Sequence, residues 1–164
     1  MNAPAELAPP HRSPLISGLA LVGFIALCFS AAALGAFFPP DAWYAGLNKP
    51  SWNPPAWVFG PVWTALYLGM ACAAWRVWRL ANVRVPLALF AVHLLLNAAW
   101  SPLFFGAHAL GLAFLEIVVL WIAIATTGAV FYRRDRVAGL LFVPYLAWVS
   151  FAAVLNAVLW RLNV

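Results

Sequence analysis

Five long apolar stretches make up most of the chain, at about 15–37, 57–78, 85–105, 109–131 and 137–160, with short polar breaks between them. Each reaches the roughly 20 residues that a helix needs to cross the hydrocarbon of a bilayer. The alternating ~10-residue pattern of membrane strands is absent. Backbone that cannot reach water must then satisfy itself as helix. The pattern predicts an all-α membrane protein, a five-transmembrane-helix bundle at 15–164 behind a polar, Pro-rich tail at 1–14. The breaks suit turns. Phe38-Pro39-Pro40 ends the first stretch, 79–84 links the second and third, Gly106-Ala107-His108 the third and fourth, and Arg133-Arg134-Asp135-Arg136 the last two. The first stretch follows Arg12 and ends in small residues, as a secretory leader does, but its apolar core exceeds the ~7–15 residues of a leader. It is expected to stay as a helix, with the small residues of 30–36 as a close-packing face. Gly60-Pro61 is expected to start or kink the second helix and Pro144 to kink the fifth.

Composition agrees. The chain is 66% hydrophobic and 8% charged, against about a quarter charged in a soluble domain. Its net charge of +5 is a matter of topology, because the arginines sit at segment ends. No nucleic-acid partner is expected. Arg12, Arg76, Arg79, Arg84, Arg133, Arg134 and Arg136 fall on one side of the membrane, Lys49 and Arg161 on the other. Positive charge stays cytoplasmic. This places the N-terminus inside, the C-terminus and the first loop outside, and a bacterial membrane is the expected setting. Cys28 and Cys72 lie in apolar stretches without metal or disulfide spacing, so they are expected to pack as small hydrophobes. No metal and no resident cofactor is expected. Motifs for hydrolysis or phosphoryl transfer are absent. No inverted repeat supports a secondary transporter.

Polar residues inside spans are costly and need a reason. In the third stretch His93, Asn97, Trp100 and Phe104 share one helix face, as do Trp63, Tyr67, Met70 and Ala74 in the second and Tyr145, Trp148, Ala152 and Asn156 in the fifth. Turned inward, these stripes would either pack as an aromatic core or wall an apolar pocket with a few hydrogen-bonding groups, suited to a flat ligand. Glu116, the one acid inside a stretch, is either a proton or ligand contact or a carboxyl held by a neighbouring helix. His93 is either a core histidine or an axial ligand to a porphyrin metal.

The loop at 38–56 is unlike a plain connector. Residues 43–57, Trp-Tyr-Ala-Gly-Leu-Asn-Lys-Pro-Ser-Trp-Asn-Pro-Pro-Ala-Trp, carry three Trp, one Tyr, three Pro and the only Lys. This run resembles the first-loop signature of the TspO/MBR family, the translocator and tryptophan-rich sensory proteins. Gly60-Pro61-Val62-Trp63-Thr64-Ala65-Leu66-Tyr67, the stretch from Leu96 to Gly106, Pro144-Tyr145-Leu146-Ala147-Trp148 and Leu155-Asn156 are similar to motifs of its second, third and fifth helices. The resemblance implies a five-helix, usually dimeric protein that binds porphyrins and other apolar small molecules beneath the first loop. It implies Trp52, Asn97, Trp100, Trp148 and Ala152 as pocket lining, with Tyr67 and Phe104 beside them. Trp52 and Trp148 match a pair implicated in light-dependent porphyrin breakdown in some bacterial members; otherwise no catalytic residue is implied. Glu116 falls where relatives often carry Asp. The family's proposed sterol motif needs a Tyr before a basic residue, and 157–160 before Arg161 has none. Porphyrin is therefore the expected ligand rather than cholesterol. Three functions are compatible with this: a porphyrin sensor, a light-driven porphyrin-degrading enzyme, or a transporter of porphyrin or lipid-like molecules.

Overall fold

The computed structural model describes residues 13–164. Five stretches of helix, Pro14–Ala36, Ala56–Trp78, Arg84–Gly106, Leu110–Arg134 and Arg136–Leu162, are long and apolar enough to cross a membrane. No strand occurs among the described residues. The chain is a multi-pass membrane protein with the expected all-α bundle. Its element boundaries depart from the sequence reading in instructive ways.

Helix α1 spans Pro14–Ala36. The Ile16 N–H donates to Ser13 Oγ at 3.3 Å, and Pro14 occupies a first-turn position where no N–H is needed. Residues 13 and 14 therefore belong to the helix start. The rest of the expected tail, with Arg12, lies outside the described residues. The first loop contains its own short helix, α2, at Ala42–Gly46. A 3₁₀ turn at Ala56–Val58 leads into α3, Phe59–Trp78. Pro61 sits in the first turn of α3, so Gly60-Pro61 starts this helix. Helix α4, Arg84–Ser101, gives way to a π-helical turn at Pro102–Gly106. Pro102 has no N–H to continue the ladder. The wider turn is closed instead by the Ala107 N–H donating to the Pro102 carbonyl at 2.8 Å.

Helix α5, Leu110–Arg134, extends three residues past the expected end. Only Asp135 separates it from α6, Arg136–Leu140. After a break at Leu141 and Phe142 comes α7, Val143–Leu162, with Pro144 in its first turn. The expected kinked fifth helix is thus two helices, because a proline tolerated in a first turn is a poor fit further along. Asp135 organises this corner. Its Oδ1 accepts from the Ala138 N–H at 2.9 Å, capping α6. Its carboxylate also takes two N–H groups of Arg76, at 2.8 and 3.1 Å, from the end of α3.

Lipid tails are as apolar as leucine, so helices associate through close packing and hydrogen bonds. Helix α1 packs on α3 and α4, α4 on α5, and α5 on α7. The Trp75 indole donates to the Ser17 carbonyl at 2.8 Å, joining α3 to α1. Trp121 donates to Ser150 Oγ at 2.7 Å, joining α5 to α7. The small-residue face of α1 works as expected: Ala31 is buried, and a Cβ on Gly35 would lie 3.1 Å from Ser101 Oγ. Cys28 is fully buried in the same core.

Partial burial raises the proton affinity of Asp135, but Arg76 and the N–H groups of Ala138 and Val137 outweigh it and hold the carboxyl below its usual range. A lowered folded value contributes stability above the unfolded value of about 3.9, and that contribution is lost as pH falls through the folded value. Asp135→Ala is expected to cost about 1–2 kcal/mol near neutral pH, from a lost cap and a partly exposed ion pair. Denaturation in mixed micelles at several pH values checks this. The gap to the wild-type chain should narrow as pH falls below the ordinary carboxylate value of about 3.9.

Candidate functional site

The first loop is a structured cover. Asp41 caps α2 by accepting from the Tyr44 N–H at 3.0 Å. This contact lowers the carboxyl's proton affinity; burial opposes it, and His108 adds to the lowering. The single lysine closes the other end. Lys49 Nζ donates to the carbonyls of Tyr44, Ala45 and Leu47 and lies 4.6 Å from the centre of the Tyr44 ring. A cation there meets the negative end of the helix and its orphan carbonyls.

Three contacts fasten this cover to the bundle. The Asn48 N–H donates to Asn163 Oδ1 at 2.8 Å, and Asn163 Nδ2 returns a bond to the Asn48 carbonyl at 3.0 Å. Trp43 stacks on His108 with centroids 4.1 Å apart, while His108 Nε2 lies 3.2 Å from Asp41 Oδ2. His108 has a φ of 53°, a left-handed geometry that histidine adopts more readily than most residues. Trp43 and Tyr44 also pack edge-on against Phe104.

One series of ring contacts leads in from the cover, and a second lies over the buried tyrosines. Trp52, 45% exposed, meets Phe151 at 5.8 Å between centroids. Phe151 meets Trp148 at 5.5 Å, and Trp148 meets Phe59 at 5.8 Å. Trp63 contacts Tyr67 at 5.4 Å and Tyr145 at 6.2 Å. Beneath them is a hydrogen-bonded floor. Tyr67 Oη donates to Asn97 Oδ1 at 2.6 Å, and Asn97 Nδ2 donates to Tyr145 Oη at 2.9 Å. Three helices, α3, α4 and α7, each place one residue of this floor.

The three sequence stripes therefore do face inward, and Trp52, Tyr67, Asn97 and Trp148 fall in one region. Ala152 is half-buried one turn beyond Trp148 and packs against the same core. Trp100 is more committed: its indole donates to Asn156 Oδ1 at 3.2 Å and its ring stacks on Phe104. Asn156 in turn donates to the Leu110 carbonyl at 2.9 Å. Phe104 is 2% exposed and enclosed by Trp43, Tyr44, Trp100 and Phe105. Phe104 thus stays beside Trp100 on the inward face and also forms the cover's seat. His93 is fully buried among Phe90, Phe142 and Tyr145, its Nε2 3.5 Å from Met70 Sδ, in a packed core setting. Glu116 has both carboxyl oxygens shielded from solvent with no hydrogen-bond partner among the described residues. No group of three potential metal ligands occurs among the described residues.

Sequence reasoning missed Phe151 and Phe59, which complete the aromatic line. Phe151 was within reach of helical spacing, three residues after Trp148. The Asn48–Asn163 pair had no local signal, since 115 residues separate its members.

Comparison with known proteins bears on this geometry. The model of the TspO/MBR family matches residues 24–161. A tryptophan-rich sensory protein of Cereibacter sphaeroides is 45% identical over 140 residues, covering 85% of this chain and 89% of that protein. The tryptophan-rich protein TspO of Chlorobaculum tepidum is 44% identical over 152 residues, covering 88% and 96%. The human translocator protein is 44% identical over 126 residues, covering 74% and 75%.

Proposed function

The chain belongs to the TspO/MBR family, and from that premise we propose that it is a membrane sensor of porphyrin-type tetrapyrroles, held between the helices beneath the first loop. Family membership supports a receptor or sensor role in the membrane. The observation that carries the finer reading is the line of rings from Trp52 through Phe151 to Trp148, above the Tyr67–Asn97–Tyr145 floor. Flat aromatic faces suit a flat macrocycle by stacking, and a few polar groups beneath fix its orientation. The cover formed by α2 and Lys49 supplies a lid. The reading includes a homodimer in a bacterial membrane, with the arginine-rich end cytoplasmic and the lid on the opposite face.

A second reading, light-dependent porphyrin breakdown, is favoured by one specific contact: Trp52 and Trp148 touch the same Phe151 ring.

Titration of the purified protein with protoporphyrin IX in the dark, followed by tryptophan quenching, tests the proposal. Saturable quenching is expected, with affinity about tenfold weaker in Trp148→Ala, the loss of one stacking face. Non-saturable quenching, identical in both proteins, would refute pocket binding. Illumination of Trp52→Phe/Trp148→Phe then separates the readings, because breakdown at the wild-type rate excludes these two residues as redox partners.

A further inference from the structure

We propose that a groove at the arginine-rich end of the bundle, between α5, α6 and the start of α7, holds one anionic glycerophospholipid. Its acyl chain would lie in the groove and its phosphate between Arg133 and Arg136. The groove is independent of the lidded site and has a volume of about 420 Å³. It exists because the fifth span breaks at Leu141 and Phe142, and because small residues line its α5 wall. Ala125, Gly128 and Ala129 form that wall, and Leu140 and Val143 stand opposite. Leu140 and Val143 are 57% and 58% exposed, so the groove opens to the bilayer.

A groove of this kind, with apolar walls inside the hydrocarbon, gives water too few partners to hold it, whereas a lipid tail matches it.

The headgroup assignment comes from charge. Ala125, Ala129 and Arg133 follow at steps of four, so Arg133 continues the α5 wall by one turn. Arg136 precedes Leu140 by four residues and continues the α6 wall in the same way. Both arginines are exposed. The carboxylate between them, Asp135, is taken up by Arg76. Neither Arg133 nor Arg136 has an ion-pair partner among the described residues. Two guanidinium groups thus stand uncompensated at the mouth of an apolar groove. Tyr132 lines the same end and is 48% exposed, an amphipathic ring at the level where headgroups lie. Basic pockets between helices recognise anionic headgroups, at about 1 kcal/mol per Arg near the surface.

The test incubates the purified protein with equimolar dioleoylphosphatidylglycerol and dioleoylphosphatidylcholine and reads retained lipid by native mass spectrometry. The wild-type chain should retain one phosphatidylglycerol about thirtyfold over phosphatidylcholine, or about 2 kcal/mol for two arginines. Arg133→Gln/Arg136→Gln should lower this preference to about threefold or less. Ala129→Leu, which fills the groove, should reduce retention of both lipids. Equal retention by the wild-type chain overturns the proposal. So does an equal loss in Arg84→Gln, on the same end but off the groove, since the effect would then be a diffuse field. Cross-linking of two copies through Ala129→Cys would show the groove covered by a second chain and overturn it too. Arg133 and Arg136 make no internal contact that folding requires, so the double variant decides the matter even if Ala129→Leu fails to fold.

Discussion

Gly139→Ala is expected to be the most damaging single methyl in this protein. A Cβ at that position would overlap the Cβ of Tyr132 and lie 2.5 Å from its Cα and 2.7 Å from its backbone nitrogen. Two of these atoms are main chain of α5, so no rotamer change relieves the clash. Helix α6 would have to lift from α5, and Asp135, which caps α6 and holds Arg76, would be dragged with it. Overpacking that moves backbone costs about 3 kcal/mol or more. Gly69→Ala is the natural control. Its Cβ would meet only the Leu141 carbonyl, at an ordinary 3.8 Å, and alanine in a helix interior is favoured over glycine by about 0.5–1 kcal/mol. Denaturation of both variants in mixed micelles should move them in opposite directions. If Gly139→Ala unfolded within about 0.5 kcal/mol of the wild-type chain, the close approach of α6 to α5 would be wrong.

Asn97→Leu should have the second-largest effect, in stability and in binding together. The amide is 7% exposed and links two phenols from two other helices. Leucine has the same branched shape, though with bulkier methyl groups, and leaves both hydroxyls without their partner. Interhelical hydrogen bonds in membranes average about 0.6 kcal/mol and reach about 1.7, so losing two costs about 1–3 kcal/mol. Tyr67→Phe removes one bond and should cost about half as much. The floor would also lose its fixed tyrosines, and protoporphyrin affinity is expected to fall about tenfold. Stability unchanged in Asn97→Leu would mean that the phenols find other partners. Affinity unchanged at reduced stability would detach the floor from the ligand.

How far the sequence could be read depended on the range of the interaction. Helical periodicity is local, so the inward faces carrying Tyr67, Asn97, Tyr145 and Asn156 were legible from spacing alone. Ends set by caps were less so. Asp135 closes one helix and opens the next within one residue, whereas four polar residues in a row looked like a loop. Pro144 looked like a kink because spacing shows that a proline interrupts a helix but not whether the chain bends through it or restarts before it, as it does here. Phe104 was legible as inward-facing, but its contacts with Trp43 and Tyr44 of the lid were not, because they join residues far apart in the chain. Which stripes enclose a ligand and which only pack could not be separated by spacing, since both demand the same apolar face.

The reciprocal bond between Asn48 and Asn163 makes the lid and helix α7 a single mechanical part. Asn163 lies just past the end of a 20-residue helix, about 30 Å from its other end at the usual rise. That other end abuts the break at Leu141 and Phe142, where the helical ladder is interrupted. Helix α7 is thus a lever with its fulcrum at the arginine-rich end and its load at the lid. If the tie holds, moving the lid sideways by about 2 Å tilts the shaft by about 4° over that length. A displacement at one face of the membrane is in this way converted to a rotation at the other.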